Sequence, residues 1–166
     1  MFRRLLPLAT VAALGLAGCA PAPIYRVAPG SLIVTPAQVS ATPTPYLHQP
    51  VIWGGQVVSV SNFADHSEIE ILGLPLDSSQ RPRPQGGDGG RFIASFPGYV
   101  EAMNYPPGAF ITVSGTLLGT RAGRVGAAPY TFPVVGADQS HLWTSEEMRS
   151  GHPNISFGVG VAGGFR

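Results

Sequence analysis

Val51-Ile52-Trp53-Gly54-Gly55-Gln56-Val57-Val58-Ser59-Val60 is the stretch that decides the fold. β-Branched and aromatic residues dominate it, as in a strand with one buried face, and the glycine pair in its middle marks a bulge or bend. Working outward, Glu68-Ile69-Glu70-Ile71 alternates charge with an apolar residue. That period of two puts Ile69 and Ile71 on a buried face and both glutamates in water, with residues 62–67 as the hairpin connection. Arg91-Phe92-Ile93-Ala94-Ser95-Phe96 reads as a third strand and Phe110-Ile111-Thr112-Val113-Ser114-Gly115-Thr116-Leu117 as a fourth. Residues 130–135 make a fifth, in which Pro133 argues for an edge because it has no N–H to give a ladder. Residues 119–126, with Arg121, Gly123 and Arg124, are expected to turn between the last two.

Twenty-two glycines and 17 prolines favour turns over helices. The expected fold is all-β: a small five- to six-stranded, partly open barrel resembling an OB-fold, with few edges left to invite aggregation. An integral outer-membrane barrel is excluded on count. It needs at least eight strands of about 9–11 residues with lipid-facing alternation. Phe157-Gly158-Val159-Gly160-Val161 alternates, but the domain cannot supply the other strands around so many breakers.

Upstream, Arg3 and Arg4 precede an apolar run over residues 5–16, followed by Leu16-Ala17-Gly18-Cys19. A spanning helix needs about 20 apolar residues, so this run is too short to stay in a bilayer and reads as a signal peptide with a small-residue cleavage site. Leu-Ala-Gly-Cys resembles a bacterial lipobox, which implies a diacylglycerol thioether on Cys19, cleavage before it and acylation of the new amino group. One acyl chain anchors only marginally, whereas several on one residue hold a protein in the membrane.

The expected organisation is a signal peptide over 1–18, a lipidated proline-rich tether over 19–50, a barrel over 51–145 and a glycine-rich tail over 146–166. The tether carries Pro21, Pro23, Pro43 and Pro45, so it cannot sustain a long element. Within it, Thr35 followed by Pro36 is placed to cap one short helical turn, and residues 31–40 are placed to dock on the domain. Of 166 residues, 148 remain after the 18-residue leader, with 8 basic against 9 acidic side chains. That balance gives no reason to expect a nucleic-acid partner or a polybasic membrane contact. With Cys19 consumed by lipid no intrachain disulfide is available, and the chain has no lysine for a Schiff base or phosphate cradle.

The spacing of residues offers little chemistry. His48, His66, His141 and His152 stand singly in expected exposed loops, without metal-ligand spacing. Ser140, Asp138 and His141 lie close in sequence but lack a nucleophile elbow. No catalytic, cofactor or metal residue is assigned, and an enzyme is not expected. Gly86-Gly87-Asp88-Gly89-Gly90 leads into a strand rather than a helix, so it is a flexible loop and not a phosphate cradle. Arg81, Arg83 and Arg91 flank it as candidate contacts for an anionic ligand such as a lipid headgroup. Trp53 and Trp143 are placed to close the barrel by packing together.

Several motifs in order resemble the Slp outer-membrane lipoproteins, a family with a starvation-inducible member. They are Trp53-Gly54-Gly55, Glu70-Ile71-Leu72 running into Pro75-Leu76-Asp77, Gly90-Arg91-Phe92, Asn104-Tyr105, Thr112-Val113-Ser114-Gly115, and Pro129-Tyr130 with Phe132-Pro133-Val134-Val135. The chain departs from the family pattern at residues 98–102 and at Ala127. The resemblance implies a lipoprotein anchored in the outer membrane, facing the periplasm, linked to stress or stationary phase, with a structural role or an envelope protein, glycan or lipid as partner. Ala20 is not the aspartate that retains enteric lipoproteins at the inner membrane, which favours outward export. The alternative is a lipid-anchored hydrolase or lipid or glycan transfer protein working near residues 81–91.

Overall fold

The computed structural model describes residues 22–27, 29–31 and 33–150. The leader, Cys19, His152 and the tail beyond 150 lie outside the described residues. Along the chain come α1 (Pro36–Ala41), a 3-10 turn at Thr44–Tyr46, β1 (Pro50–Asn62), β2 (His66–Leu74), β3 (Arg91–Pro97), a 3-10 turn at Ala102–Asn104, β4 (Phe110–Val125), β5 (Ala128–Trp143) and α2 (Ser145–Ser150).

The five strands form the expected small all-β barrel, in the order β1-β2-β3-β5-β4. It is closed rather than partly open. Three parallel pairs, Ile93 with Val134, Ala94 with Val135 and Ser95 with Gly136, join β3 to β5 and remove the edges. Every other neighbour is antiparallel.

Closure depends on β1 turning a corner. Gly54, Gly55 and Gln56 pair with β2 on one side and β4 on the other, and a Cβ at Gly55 would collide with the Leu72 carbonyl. The glycine pair therefore lets two ladders meet on one strand, and the register slip between Val57 and Ser59 follows just after it.

One expectation about the last strands fails and one holds. Residues 119–126 are not a turn: β4 runs through them to Val125, and the reversal falls at Gly126 and Ala127, with Gly126 at φ 58°. Glycine and arginine there looked like loop composition, but a ladder needs only backbone, and 128–134 supply the partner. Pro133 does stand on an edge: β5 lies between β3 and β4 further along, but Pro133, though buried, pairs with Thr120 of β4 alone, and pairing to β3 begins one residue later, at Val134. Beyond Thr116 on β4 and before Val134 on β5, the two strands continue as a ribbon past the part of the sheet held by β1 and β3.

The interior is filled by Phe92, Ile69, Ile71, Ile111 and Leu117, all fully buried. Burying such side chains stabilises the barrel by about 1.5–3 kcal/mol each. Glu68 and Glu70 are not in water as expected. Glu68 is held by two bonds from Arg121 on the ribbon, at 2.8 and 2.7 Å, and Glu70 accepts from Arg91 at 2.5 Å. The sheet curls enough that the polar face of β2 is covered by its own cations.

The described residues between 22 and 49 form a strap lying on the barrel. Thr35 caps α1 as expected: its hydroxyl accepts from the Gln38 amide at 3.2 Å and the Gln38 side chain accepts from the Thr35 amide at 2.8 Å, a reciprocal box. Docking of this stretch is also as expected. Val39 enters the core, Ser40 Oγ donates to the Thr131 carbonyl at 2.6 Å, and the Ala37 amide donates to the Gly89 carbonyl at 2.9 Å. After β5, Thr144 and Glu147 build a second box, so residues 146–150, expected to begin a tail, belong with Ser145 to α2.

Candidate functional site

The site is built on a turn. Asp77 Oδ1 accepts from the amides of Ser79 and Arg81 at 2.9 and 3.0 Å and from Ser79 Oγ at 2.6 Å, while Oδ2 accepts from Arg81 Nε at 2.9 Å. Burial works against the Asp77 carboxylate, but bonds from Ser79 and the Arg81 amide, with the Arg81 charge, outweigh it and hold the carboxyl below its usual range. The turn sets Gln80 in the left-handed region at φ 68° and buries it.

From there Gln80 clamps the N-terminal part of the strap. Its Oε1 accepts from the Tyr25 amide at 2.8 Å and its Nε2 donates to the Tyr25 carbonyl at 2.9 Å, so one side-chain amide replaces a strand partner. The Gln80 carbonyl accepts from Thr112 Oγ1 at 2.7 Å, which in turn accepts from Trp143 Nε1 at 2.9 Å. A four-residue polar chain thus runs from the strap through the β1–β4 seam to the end of β5. Burial, and secondarily the Tyr105 hydroxyl, push the Tyr25 phenol up to about 12.

Between strap and barrel lies an apolar pocket of about 420 Å³, walled by Val27, Ile33 and Val34 from the strap and by Ile52, Trp53, Leu74 and Leu76 from the barrel. Its size and lining are those of a small-molecule site. The Trp53 ring stands edge-on to Phe92 at 5.2 Å and its N–H donates to the Val34 carbonyl at 2.7 Å, so the indole presents hydrocarbon to the cavity. The polar lining side chains are Ser31, Thr35 and Gln80, and no lining residue is ionisable. Val27 and Ile33 stand at the mouth, 65% and fully exposed.

The three arginines singled out from sequence are not brought together. Arg81 is spent on Asp77 and on the Met148 carbonyl at 2.9 Å, holding α2; Arg91 is spent on Glu70. Arg83 is exposed beside Met148 in a shallow cleft. The glycine loop is ordered against the strap, its Gly86, Gly89 and Gly90 amides given to Arg83, Gly73 and Asp88. Nor do the tryptophans meet: Trp143 packs at 4.6 Å against His141.

His66 and His141 are not loop residues. His66 opens β2, stacked on Phe63 at 4.6 Å and bonded to Asp65 at 2.7 Å. His141 lies half-buried in β5, its Nε2 3.5 Å from Glu147; the carboxylate it approaches is not Asp138. Among the described residues no three His, Cys, Asp or Glu side chains are grouped to hold a metal.

Gln80 was missed because its role depends on a contact 55 residues away in sequence. The signal that pointed there was Asp77-Ser78-Ser79, whose short polar side chains favour a turn bonded to its own backbone.

A closed β-barrel with an N-terminal strap clamped over an apolar pocket defines a small all-β binding-type domain. The chain belongs to the outer membrane lipoprotein Slp family, whose model matches residues 16–160. An uncharacterized protein of Haemophilus influenzae is 42% identical over 92 residues, 55% of this chain and 50% of that protein. Outer membrane protein Slp of Escherichia coli is 31% identical over 117 residues, 70% and 62% of the two chains. The uncharacterized lipoprotein YeaY of the same organism is 33% identical over 142 residues, 82% and 70%. The chain thus spans from half to about seven-tenths of the length of these relatives. A solved structure, Schizosaccharomyces pombe Pot1pC bound to ssDNA, matches with a TM-score of 0.32 at 13% identity over 61% of this chain and 83% of that one, a likeness that carries no argument. The protein is an outer-membrane lipoprotein of the cell envelope. Among the described residues no helix is long and apolar enough to cross a membrane.

Proposed function

We propose that Cys19 carries the lipid and that the barrel is held on the periplasmic side of the outer membrane in a structural or binding role, serving stress or stationary-phase physiology. Membership in the outer membrane lipoprotein family supports the anchor, and the observation that supports a barrel held close to it is the clamp on Tyr25. From position 19 to position 25 is six residues, which at about 3.3–3.6 Å each reach no more than about 20 Å. The proline-rich segment is therefore a short leash and the barrel rides at the bilayer surface, not at the end of a long spacer.

A binding role is favoured over hydrolysis because the pocket contains no acid, base or activated nucleophile. Metabolic labelling with palmitate tests the anchor. The wild type incorporates label and sediments with outer membranes, whereas Cys19→Ala does neither. Undiminished labelling of Cys19→Ala removes the reading. For the physiological part, transcript levels should rise on entry into stationary phase; a flat profile removes that part alone.

A further inference from the structure

We propose that the pocket beneath the strap is a binding site for an acyl chain of a bilayer phospholipid, with Arg26 receiving the headgroup phosphate. The proposal rests on the reading of Cys19 as the anchor point, which brings the mouth of the pocket to the membrane.

The leash argument applies most strongly to the residues just past the clamp. Val27 is two residues beyond Tyr25 and lines the pocket, so the mouth lies within a few residues' reach of the lipidated end. There the side chains are wrong for water. Ile33 is fully exposed and Val27 is 65% exposed, a pair of branched aliphatics rimming an apolar cavity, where an isolated exposed aliphatic would mean nothing. An interfacial contact needs apolar groups that sink into the headgroup boundary and a cation outside them. Arg26 supplies the cation: it is exposed, adjoins Val27 in the chain and has no carboxylate partner among the described residues.

The lining also selects hydrocarbon over a polar ligand. The Trp53 N–H is already given to Val34 and both ends of the Gln80 amide are given to Tyr25. With the Thr35 hydroxyl accepting from the Gln38 amide as well, Ser31 is the one polar lining side chain not engaged in these bonds, and an occupant meets CH groups on most sides. An acyl chain satisfies that surface without asking for further donors or acceptors, and the barrel core beside it is occupied by Phe92, Ile69, Ile71, Ile111 and Leu117.

Trp53 makes the test direct, since it is itself part of the wall. The full-length mature lipoprotein is reconstituted in phosphatidylethanolamine–phosphatidylglycerol vesicles with or without bromine on the acyl chains. Bromine quenches an indole only at contact. The proposal expects loss of most Trp53 emission in brominated vesicles, no such loss in a Trp53→Phe variant that retains only Trp143, and recovery of emission in Ile33→Glu while palmitate labelling and vesicle flotation are unchanged. Ile33 is solvent-exposed, so that variant folds.

A wild-type protein that floats with vesicles and carries palmitate, yet emits equally in both, overturns the pocket proposal and leaves the anchor standing. Failure of the anchor is read separately, as undiminished palmitate label in Cys19→Ala. A second arm dispenses with the anchor: full-length Cys19→Ser, titrated with brominated lysophospholipid below its micellar concentration, should quench, and absence of quenching overturns the proposal. Quenching seen only when brominated palmitate is attached to Cys19 itself overturns it too, since the occupant is then the protein's own lipid.

Discussion

Replacing Gln80 by glutamate tests the clamp with almost no change of shape. Oε1 still accepts from the Tyr25 amide, but the Nε2 donor becomes a carboxylate oxygen facing the Tyr25 carbonyl at about the 2.9 Å now spanned by a hydrogen bond. Losing one partly buried bond costs about 1 kcal/mol, and leaving an acceptor against a charged acceptor brings the total to about 1–3 kcal/mol. At 1.4 kcal/mol per factor of ten, strap opening rises from several-fold to on the order of a hundredfold. The assay is hydrogen exchange at the Tyr25 amide, corrected for intrinsic rate. Because the new carboxyl is buried beside a carbonyl and has no cation in contact, its folded pKa stands above the unfolded carboxylate value. Its protonated form can donate, so wild-type protection returns at acid pH and is lost as pH rises through the raised folded value. Gln80→Leu, which removes both bonds, should stay unprotected at either pH. Equal protection of Tyr25 in wild type and Gln80→Glu at neutral pH would refute the reasoning, because the strap would then be held by α1 and the core alone.

Gly55→Ala should lower the urea midpoint by the equivalent of about 1–3 kcal/mol or more, since the added Cβ runs into the Leu72 backbone, which cannot step aside without breaking the β1–β2 ladder; a midpoint within error of wild type contradicts the corner assigned to that residue. Arg121→Met should cost more than Glu68→Gln in the same assay. The first strands a carboxylate whose side chain is 9% exposed and the second leaves a guanidinium that is 50% exposed and readily hydrated; the opposite order counts against the pairing as drawn. Between about pH 10 and 12 the strap should loosen, because the unfolded Tyr25 phenol ionises near 10 while the folded one holds its proton to about 12. That stability is whole below 10 and gone above 12, and Tyr25→Phe should flatten this limb of the exchange profile.

What the sequence showed and what it hid divide along local against distant causes. The strands at 51–60, 68–71, 91–96 and 110–117 follow from a period of two, and the α1 box follows from Thr35, Pro36 and Gln38 standing within one turn. Both need only neighbours. The ribbon was unreadable at 119–126 because its glycines and arginines are held by backbone pairing to a segment with the same loop-like composition. Glu68 and Glu70 look solvated by alternation, yet they are covered by arginines 53 and 21 residues away. The pairing of Arg81 and Arg91 was hidden for the same reason, since a charge's availability depends on which carboxylate the fold brings to it. The pocket was wholly hidden: neither the strap nor the barrel wall is concave alone.

That shared construction has a thermodynamic consequence. Much of the pocket wall belongs to the strap, whose N-terminal part is clamped by two hydrogen bonds at Tyr25 in addition to the docking of α1, so undocking that part opens the pocket on the Val27 side. Anything that fills the pocket must therefore favour the docked strap by RT ln(1 + [L]/Kd), about 2.7 kcal/mol at a hundredfold excess over Kd. Protection at the Tyr25 amide then reports occupancy, and should rise by on the order of a hundredfold when the protein is moved from detergent to a bilayer. The same linkage makes Gln80→Glu weaken ligand binding at least in proportion to the opening it causes. If exchange at Tyr25 were indifferent to the bilayer while the Ile69 and Ile71 amides in β2 kept theirs, strap and pocket would be uncoupled, and the leash would set distance alone.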